Sequence, residues 1–361
     1  MDTMHHHVDE AAPTPVPRMP RWPFVVAAVA LLLGVAVVIL WPLKVPYFAM
    51  APGPTEEVVD LLSVPDGVET HDPSGEFFLL TVGLREVNVF EYIEAQFDPK
   101  VSLIDRHVIR PEGVTQEEVT RTNLEAMDRS IDSAIFVALD RAGYDVGFTG
   151  EGAVVIETVE GAPADGVLLP DDVVDTVEGE TVVLSDDAAR VIREFEPGDT
   201  ITLGGVRDGE RFSVEITLVP HPDIEGAPMV GVLFDTKNLE MVLPVDIQID
   251  SRNIGGPSAG ITYTLALLDL LLEEDLSKGH RIASTGTIAL DETVGPIGGV
   301  RQKVFAAKAI GAEYVLVPEA NFDDALGAAD GEIEIVSVAT LDDALAFLRT
   351  LEPAPEAVAA P

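Results

Sequence analysis

The pattern of apolar and polar positions changes character several times along the chain. Residues 22–43 carry no charge and include VVAAVALLLGVAVVIL. As a helix this run would extend roughly 33 Å, at about 1.5 Å per residue, which predicts a transmembrane helix over 22–43. Residues 124–142 place Ile131, Ile135, Ala138, Leu139 and Ala142 at helical spacing and stop at Gly143, predicting an amphipathic helix with a glycine C-cap. The rhythm then shortens. AVVIETV, a GAPADG turn, VLLPDDVVDTVEGETV, a helix at SDDAARVIREF and DTITLGGVRDGERFSVEITLV describe a small, mostly β module over 143–222. From residue 223 to 350 strands and helices alternate: strands near MVGVLF and VDIQID, a helix from Pro257 to Leu272, a strand at RIASTGTIAL, a helix near 301–311, strands YVLVP and IEIVSV, and a helix from Leu341 with Thr340 and Asp343 as its capping pair.

The expected fold class is therefore α+β and multidomain: an N-terminal transmembrane helix, a β module and an α/β domain. Region 44–142 is the least informative, with a turn-rich start, APGPTEE, and one strand, FFLLTV. Proline and polar residues fill 1–21, and both that stretch and 351–361 are expected to be disordered. Arg18 and Arg21 precede the apolar run, only Lys44 follows closely, and Trp22 and Trp41 stand at its ends. That bias puts residues 1–21 in the cytoplasm and everything after about 44 outside the cell membrane. Ala49-Met50-Ala51 matches a signal-peptide cleavage pattern, but the run is longer than a signal core, which favours a retained single-pass anchor.

Composition removes several function classes. Lys plus Arg number 22 against 63 Asp plus Glu, a formal charge of −41 that opposes nucleic acid and anionic lipid headgroups across any broad surface. The Asp doublets at 171–172, 186–187, 323–324 and 342–343 lack calcium-loop spacing. With no cysteine there is no disulfide, thiolate metal site or cysteine nucleophile. His5, His6 and His7 lie in the N-terminal tail and read as a tag remnant or chance, so neither metal nor cofactor is expected.

Within NIGGPSAGIT, Ser258 falls where a helix is expected to start, beside unpaired N–H groups and the positive end of the dipole. Serines cap helices so often that this alone is not catalysis. GPSAG also fits G-x-S-x-G, the nucleophile elbow of α/β-hydrolases, but that fold needs a downstream histidine, and His280 comes too soon, in the charged loop EEDLSKGH. His71, His107 and His221 lie upstream in unsuggestive contexts. A lysine with its ammonium desolvated remains as base. Of six lysines, Lys303 opens a helix after VGPIGGV, with Ala306, Ala307 and Ile310 on its face; Lys308, with Val304 on its face, is not excluded by periodicity.

Two resemblances sharpen this. Gly161-Ala162-Pro163-Ala164, Asp172-Val173-Val174 and Glu178-Gly179 resemble the core pattern of PDZ domains, with Asp171 where a glycine is usual. The likeness implies an extended peptide, often a free C-terminus, added as a strand beside the helix at 186–195. GPSAG, followed from Ser284 by STGTIALDETVGPIGGVRQKVFAAKAIGAEYVLVP, resembles the proteolytic domain of Lon-type serine peptidases, and the whole order resembles the membrane-anchored PDZ-Lon subgroup of bacteria. That resemblance implies Ser258 as nucleophile, Lys303 rather than Lys308 as general base, Thr285 as the lysine's supporting partner, and an oxyanion site at the N–H groups of Ser258 and Ala259.

It further implies protein or peptide substrates and a homo-oligomer, often a hexameric ring. Two departures stand out: many Lon enzymes carry an acidic residue where this chain has Gly255, and no G-x-x-x-x-G-K-[ST] phosphate loop occurs, so proteolysis is expected without ATP. The rival class is a catalytically inactive adaptor binding exported proteins through its PDZ groove, in which an intact serine and lysine would be unnecessary.

Overall fold

A computed structural model describes residues 22–355. The expected tail 1–21, with His5–His7, and residues 356–361 lie outside the described residues. The described residues divide into two compact units, 22–52 with 83–115 and 53–82 with 116–355.

In the first unit α1 (Trp22–Leu40) is the one helix, among the described residues, long and apolar enough to cross a membrane, and it ends three residues before the expected limit of 43. The strand Lys44–Glu57 follows and pairs antiparallel with Ser102–Asp105, from Tyr47 opposite Asp105 to Met50 opposite Ser102. Two short helices, α2 (Val89–Ala95) and α3 (Arg106–Ile109), complete this unit.

The second unit holds a parallel sheet made from segments far apart in sequence. FFLLTV lies in the strand Glu76–Asn88, and Glu76 to Leu79 pair in parallel with Arg281 to Ser284. Arg281–Ser284 in turn pairs with Tyr314–Pro318, and that strand with Glu334–Val338. Side chains alternate across it as a two-period strand demands. Phe77 and Leu79 enter one core with α4 (Gln116–Arg141), and Phe78 and Leu80 enter the core on the opposite face. Part of the region expected to be a separate 44–142 block is therefore integral to the α/β domain, because a parallel strand needs partners reached only through long crossovers.

The PDZ-like sheet interrupts that domain. Its order runs Glu210–Thr217, Thr200–Arg207, Val173–Val177, Ala153–Thr158, Val232–Thr236, with α5 (Ser185–Ile192) packed on its core. Val232–Thr236 pairs with Ala153–Thr158, so MVGVLF closes the β module and does not open the α/β domain; the expected boundary at 222 falls too early. Gly147–Thr149 and Glu240–Val242 pair as a ribbon where the chain enters and leaves the module. Asp171 takes φ 73°, the left-handed turn its missing glycine demanded.

The α/β domain resumes with α6 (Gly260–Leu271), α7 (Val300–Ala309), α8 (Phe322–Ala329) and α9 (Leu341–Thr350). Thr340 accepts from Asp343 N–H in a capping box, and α8 had no counterpart in the expected pattern. Residues 351–355 are not free: Lys278 Nζ donates to Leu351 O at 2.8 Å, Ala354 N–H donates to Lys278 O at 2.8 Å, and the buried His280 ring bonds Glu313 on one side and Glu352 O on the other. Composition suggested disorder there; hydrogen bonds from the 278–280 loop fix it.

Candidate active site

The turn before α6 is built by backbone conformations few sequences tolerate. Arg252, Asn253 and Gly256 all have positive φ, and Gly256 N–H donates to Asn123 O at 2.8 Å. The helix itself begins at Gly260, later than Pro257, so Ser258 lies in the tight turn two residues ahead of it. The cause is a diverted carbonyl. Ser258 C=O accepts from Gly286 N–H at 3.0 Å and from Thr285 Oγ1 at 3.1 Å instead of a helical N–H.

Glycines let the strand ends approach. A Cβ on Gly260 would stand 2.8 Å from Ile288 N, and one on Gly286 would stand 2.7 Å from Val294 Cγ1. A Cβ on Gly255 would meet Asn123 Cβ at 2.9 Å, so the acidic side chain found there in many Lon enzymes has no room in this turn.

Lys303 approaches from α7, whose N-cap Gly299 is left-handed at φ 71°. Its side chain is 2% exposed, and Nζ lies 2.7 Å from Ser258 Oγ and 2.7 Å from Thr285 Oγ1. Burial pushes the amine down to about 7. Lys303 has no ion pair among the described residues, so nothing holds the charged form in place. Lys308, one and a half turns on, faces elsewhere: its Nζ pairs with Glu332 and reaches Ala329 O at the end of α8.

Ser258, Ala259 and Lys303 line a cleft of about 300 Å³, walled by Leu79, Met127 and Ile254. Ser130 Oγ supports it from α4 by donating to Pro257 O at 2.9 Å. Ser130 was absent from the sequence expectations, and Gly286 stood within the expected strand RIASTGTIAL and its TG motif without a role assigned to it. The arrangement offers a hydroxyl, an amine able to be neutral near pH 7, and the N–H groups of Ser258 and Ala259, unpaired among the described residues, beside the cleft. That is the equipment of acyl transfer.

In the β module, a second groove runs between α5 and the edge strand Val232–Thr236, lined by Ala189, Ile192, Met229, Gly231 and Leu233. No group of three or more His, Asp or Glu able to hold a metal ion occurs among the described residues.

Residues 245–349 match the Lon protease (S16) C-terminal proteolytic domain, and residues 118–218 match the PDZ domain. The Lon protease of Campylobacter concisus is 38% identical over 181 residues, 41% of this chain and 22% of that protein. The Lon protease of Roseiflexus castenholzii is 42% identical over 106 residues, 28% of this chain and 13% of the relative. The chain thus spans less than a quarter of the length of these relatives. Among solved structures, the PDZ domain of the SdrC-like protein from Listeria monocytogenes aligns at 23% identity over 23% of this chain and 86% of that one, with a TM-score of 0.22.

Proposed function

The chain carries a Lon-type proteolytic domain and a PDZ domain and is a homologue of the Lon proteases; from that premise we propose that it is a membrane-anchored, ATP-independent serine endopeptidase working through a Ser258–Lys303 dyad. The observation that carries this reading is the buried Lys303 amine 2.7 Å from the Ser258 hydroxyl, with burial as the sole cause of its lowered pKa.

Ser258 Oγ attacks the scissile carbonyl while neutral Lys303 takes its proton. The resulting ammonium then gives that proton to the leaving amine, and the acyl-enzyme is released by water activated in the same way. Thr285 holds both partners, accepting from Lys303 Nζ and donating to the Ser258 carbonyl. The N–H groups of Ser258 and Ala259 steady the oxyanion. The apolar cleft wall suits an extended chain with an apolar side chain next to the cut. The PDZ groove, with Val232–Thr236 as a free edge, takes a peptide as an added strand and lends selectivity to a protease without an unfolding motor. With α1 as a retained anchor and its N-terminus cytoplasmic, the substrates are extracytoplasmic proteins, and the chain assembles with copies of itself.

The test is cleavage of an unstructured protein by the full chain in lipid nanodiscs, without nucleotide, against Ser258→Ala. Cleavage by the wild type alone supports the dyad; identical behaviour of the two, with peptide binding retained, leaves an adaptor.

A further inference from the structure

Trp41, just past α1, and the exposed face of α2 build an apolar ridge on the first unit. Trp41 is 60% exposed and packs against Phe90 with ring centroids 5.9 Å apart. Phe90 belongs to α2, and Phe90, Ile93 and Phe97 recur at helical spacing along one face. The turn continues past the end of α2, because Phe97 N–H donates to Glu94 O at 3.0 Å. Ile93 is 51% exposed and Phe97 is 82% exposed, a concentration of bare apolar surface that water does not favour.

The ridge is also held in shape. Asn88 Oδ1 accepts from Phe90 N–H at 2.9 Å and Glu91 N–H at 3.0 Å, while Glu91 Oε2 accepts from Asn88 N–H at 2.8 Å. Glu91 in turn pairs with Arg85 and Lys44.

Two observations say what covers it. Lys44 follows the end of α1 by four residues, a tether of roughly 14 Å at full extension, and Trp41 within that tether touches Phe90 itself. Charge is the second. Residues 44–52 and 83–115 hold five Lys or Arg against six Asp or Glu, in a chain whose formal charge is −41, so the repulsion that keeps the rest of the molecule off a lipid surface is nearly absent here.

We propose that Trp41, Phe90, Ile93 and Phe97 lie in the headgroup region of the bilayer that α1 crosses, seating this unit on the lipid surface. The inference rests on the reading of α1 as a retained anchor. Tryptophan and phenylalanine settle at that depth, and the near-zero local charge means that zwitterionic lipid suffices.

The chain has no cysteine, so single cysteines at Leu31, Ile93, Phe97 and Ile224, the last an exposed PDZ position, can each carry a nitrobenzoxadiazole probe. The full chain is reconstituted in phosphatidylcholine vesicles without bromine, with bromine on the upper acyl carbons, or with bromine on the terminal acyl carbons. Upper-chain bromine should quench the probe about twofold at 93 and 97, and terminal-chain bromine should quench it about twofold at 31, the midpoint of α1; neither should affect 224, with no gain from added phosphatidylglycerol. Quenching at 31 without quenching at 93 and 97 overturns the docking and leaves the anchor standing. No quenching at 31 removes the anchor and the docking together. A blue shift at 97 that tracks the protein-to-lipid ratio without bromine quenching means a second copy covers the ridge, and also overturns the proposal.

Discussion

Among the ionisable side chains buried in the second unit, Asp172 of the PDZ domain and Lys303 of the proteolytic domain are treated in opposite ways. In the PDZ domain Asp172 is 1% exposed. Burial pushes its carboxyl up, but the Arg207 guanidinium, with Nε 2.7 Å from Oδ1 and Nη2 2.6 Å from Oδ2, together with Leu169 N–H at 2.8 Å, outweighs that and holds it below the usual carboxylate range. In the proteolytic domain Lys303 is 2% exposed and has only hydroxyls for company, so burial acts unopposed. The same desolvation cost is offset by pairing in one place and by neutralisation in the other. A paired charge fixes a turn; an unpaired amine stays free to take a proton.

Removing the dyad should have the largest effect. Ser258→Ala and Lys303→Met should each lower kcat/KM by a factor on the order of 10³ or more, measured on an unstructured fluorogenic peptide. For the wild type, kcat/KM should climb with pH and level off above about 7, as Lys303 loses its proton. Loss of the lysine should cost activity and yet raise stability. Lys303 is protonated near neutrality when unfolded but has its folded value lowered to about 7, so wild-type stability rises with pH between about 7 and 10.5. Lys303→Met should therefore melt higher than wild type, by on the order of 1–3 kcal/mol at pH 6 to 7, with the gain fading toward pH 10. A Lys303→Met variant whose advantage over wild type is no greater at pH 6 than at pH 10 would contradict a desolvated lysine.

Thr285→Val should be intermediate. It removes the hydroxyl 2.7 Å from Nζ while keeping the volume, and about a tenfold fall in kcat/KM is expected with KM little changed. On the PDZ side, Arg207→Ala leaves Asp172 buried and unpaired, costing on the order of 2–4 kcal/mol in a melt of the full chain. Asp172, with its folded value depressed, contributes stability that is present above the unfolded carboxyl range and lost as pH falls through the folded value. Arg207→Ala should reverse that acid limb, while cleavage of a short peptide that bypasses the PDZ groove persists.

The site was more legible in the sequence than the fold around it. Ser258, Thr285 and Lys303 sit in local motifs of small residues, whose glycines mark close approaches such as Gly260 against Ile288 and Gly286 against Val294. The apolar helix α1 and the strand–turn–helix rhythm of the PDZ domain were likewise local signals. What local pattern could not carry was pairing across distance. Leu79 opposite Ser284 joins residues from regions that looked unrelated, and Val232–Thr236 could serve either neighbouring domain until its partner Ala153–Thr158 was known. The start of α6 was misplaced because Pro257 suits a first turn, whereas the Ser258 carbonyl is claimed by Thr285 and Gly286 from another strand.

The smallest expected effect sharpens the comparison most, because it separates two lysines on one helix. Periodicity alone left Lys308 beside Lys303 as a candidate base. In the structure Lys308 Nζ accompanies Glu332 and lies 3.2 Å from Ala329 O, the C-terminal carbonyl of α8, where a cation complements the helix dipole. Lys308→Ala should leave kcat/KM within about twofold of wild type and shift stability by only about 0.5–1 kcal/mol, the worth of a partly exposed C-terminal cation. Its pH–rate curve should overlay that of the wild type, since the amine that titrates near 7 is untouched. Were Lys308→Ala instead to abolish cleavage or move that curve, the base would have to be sought at 308, and the burial of Lys303 would lose its chemical meaning.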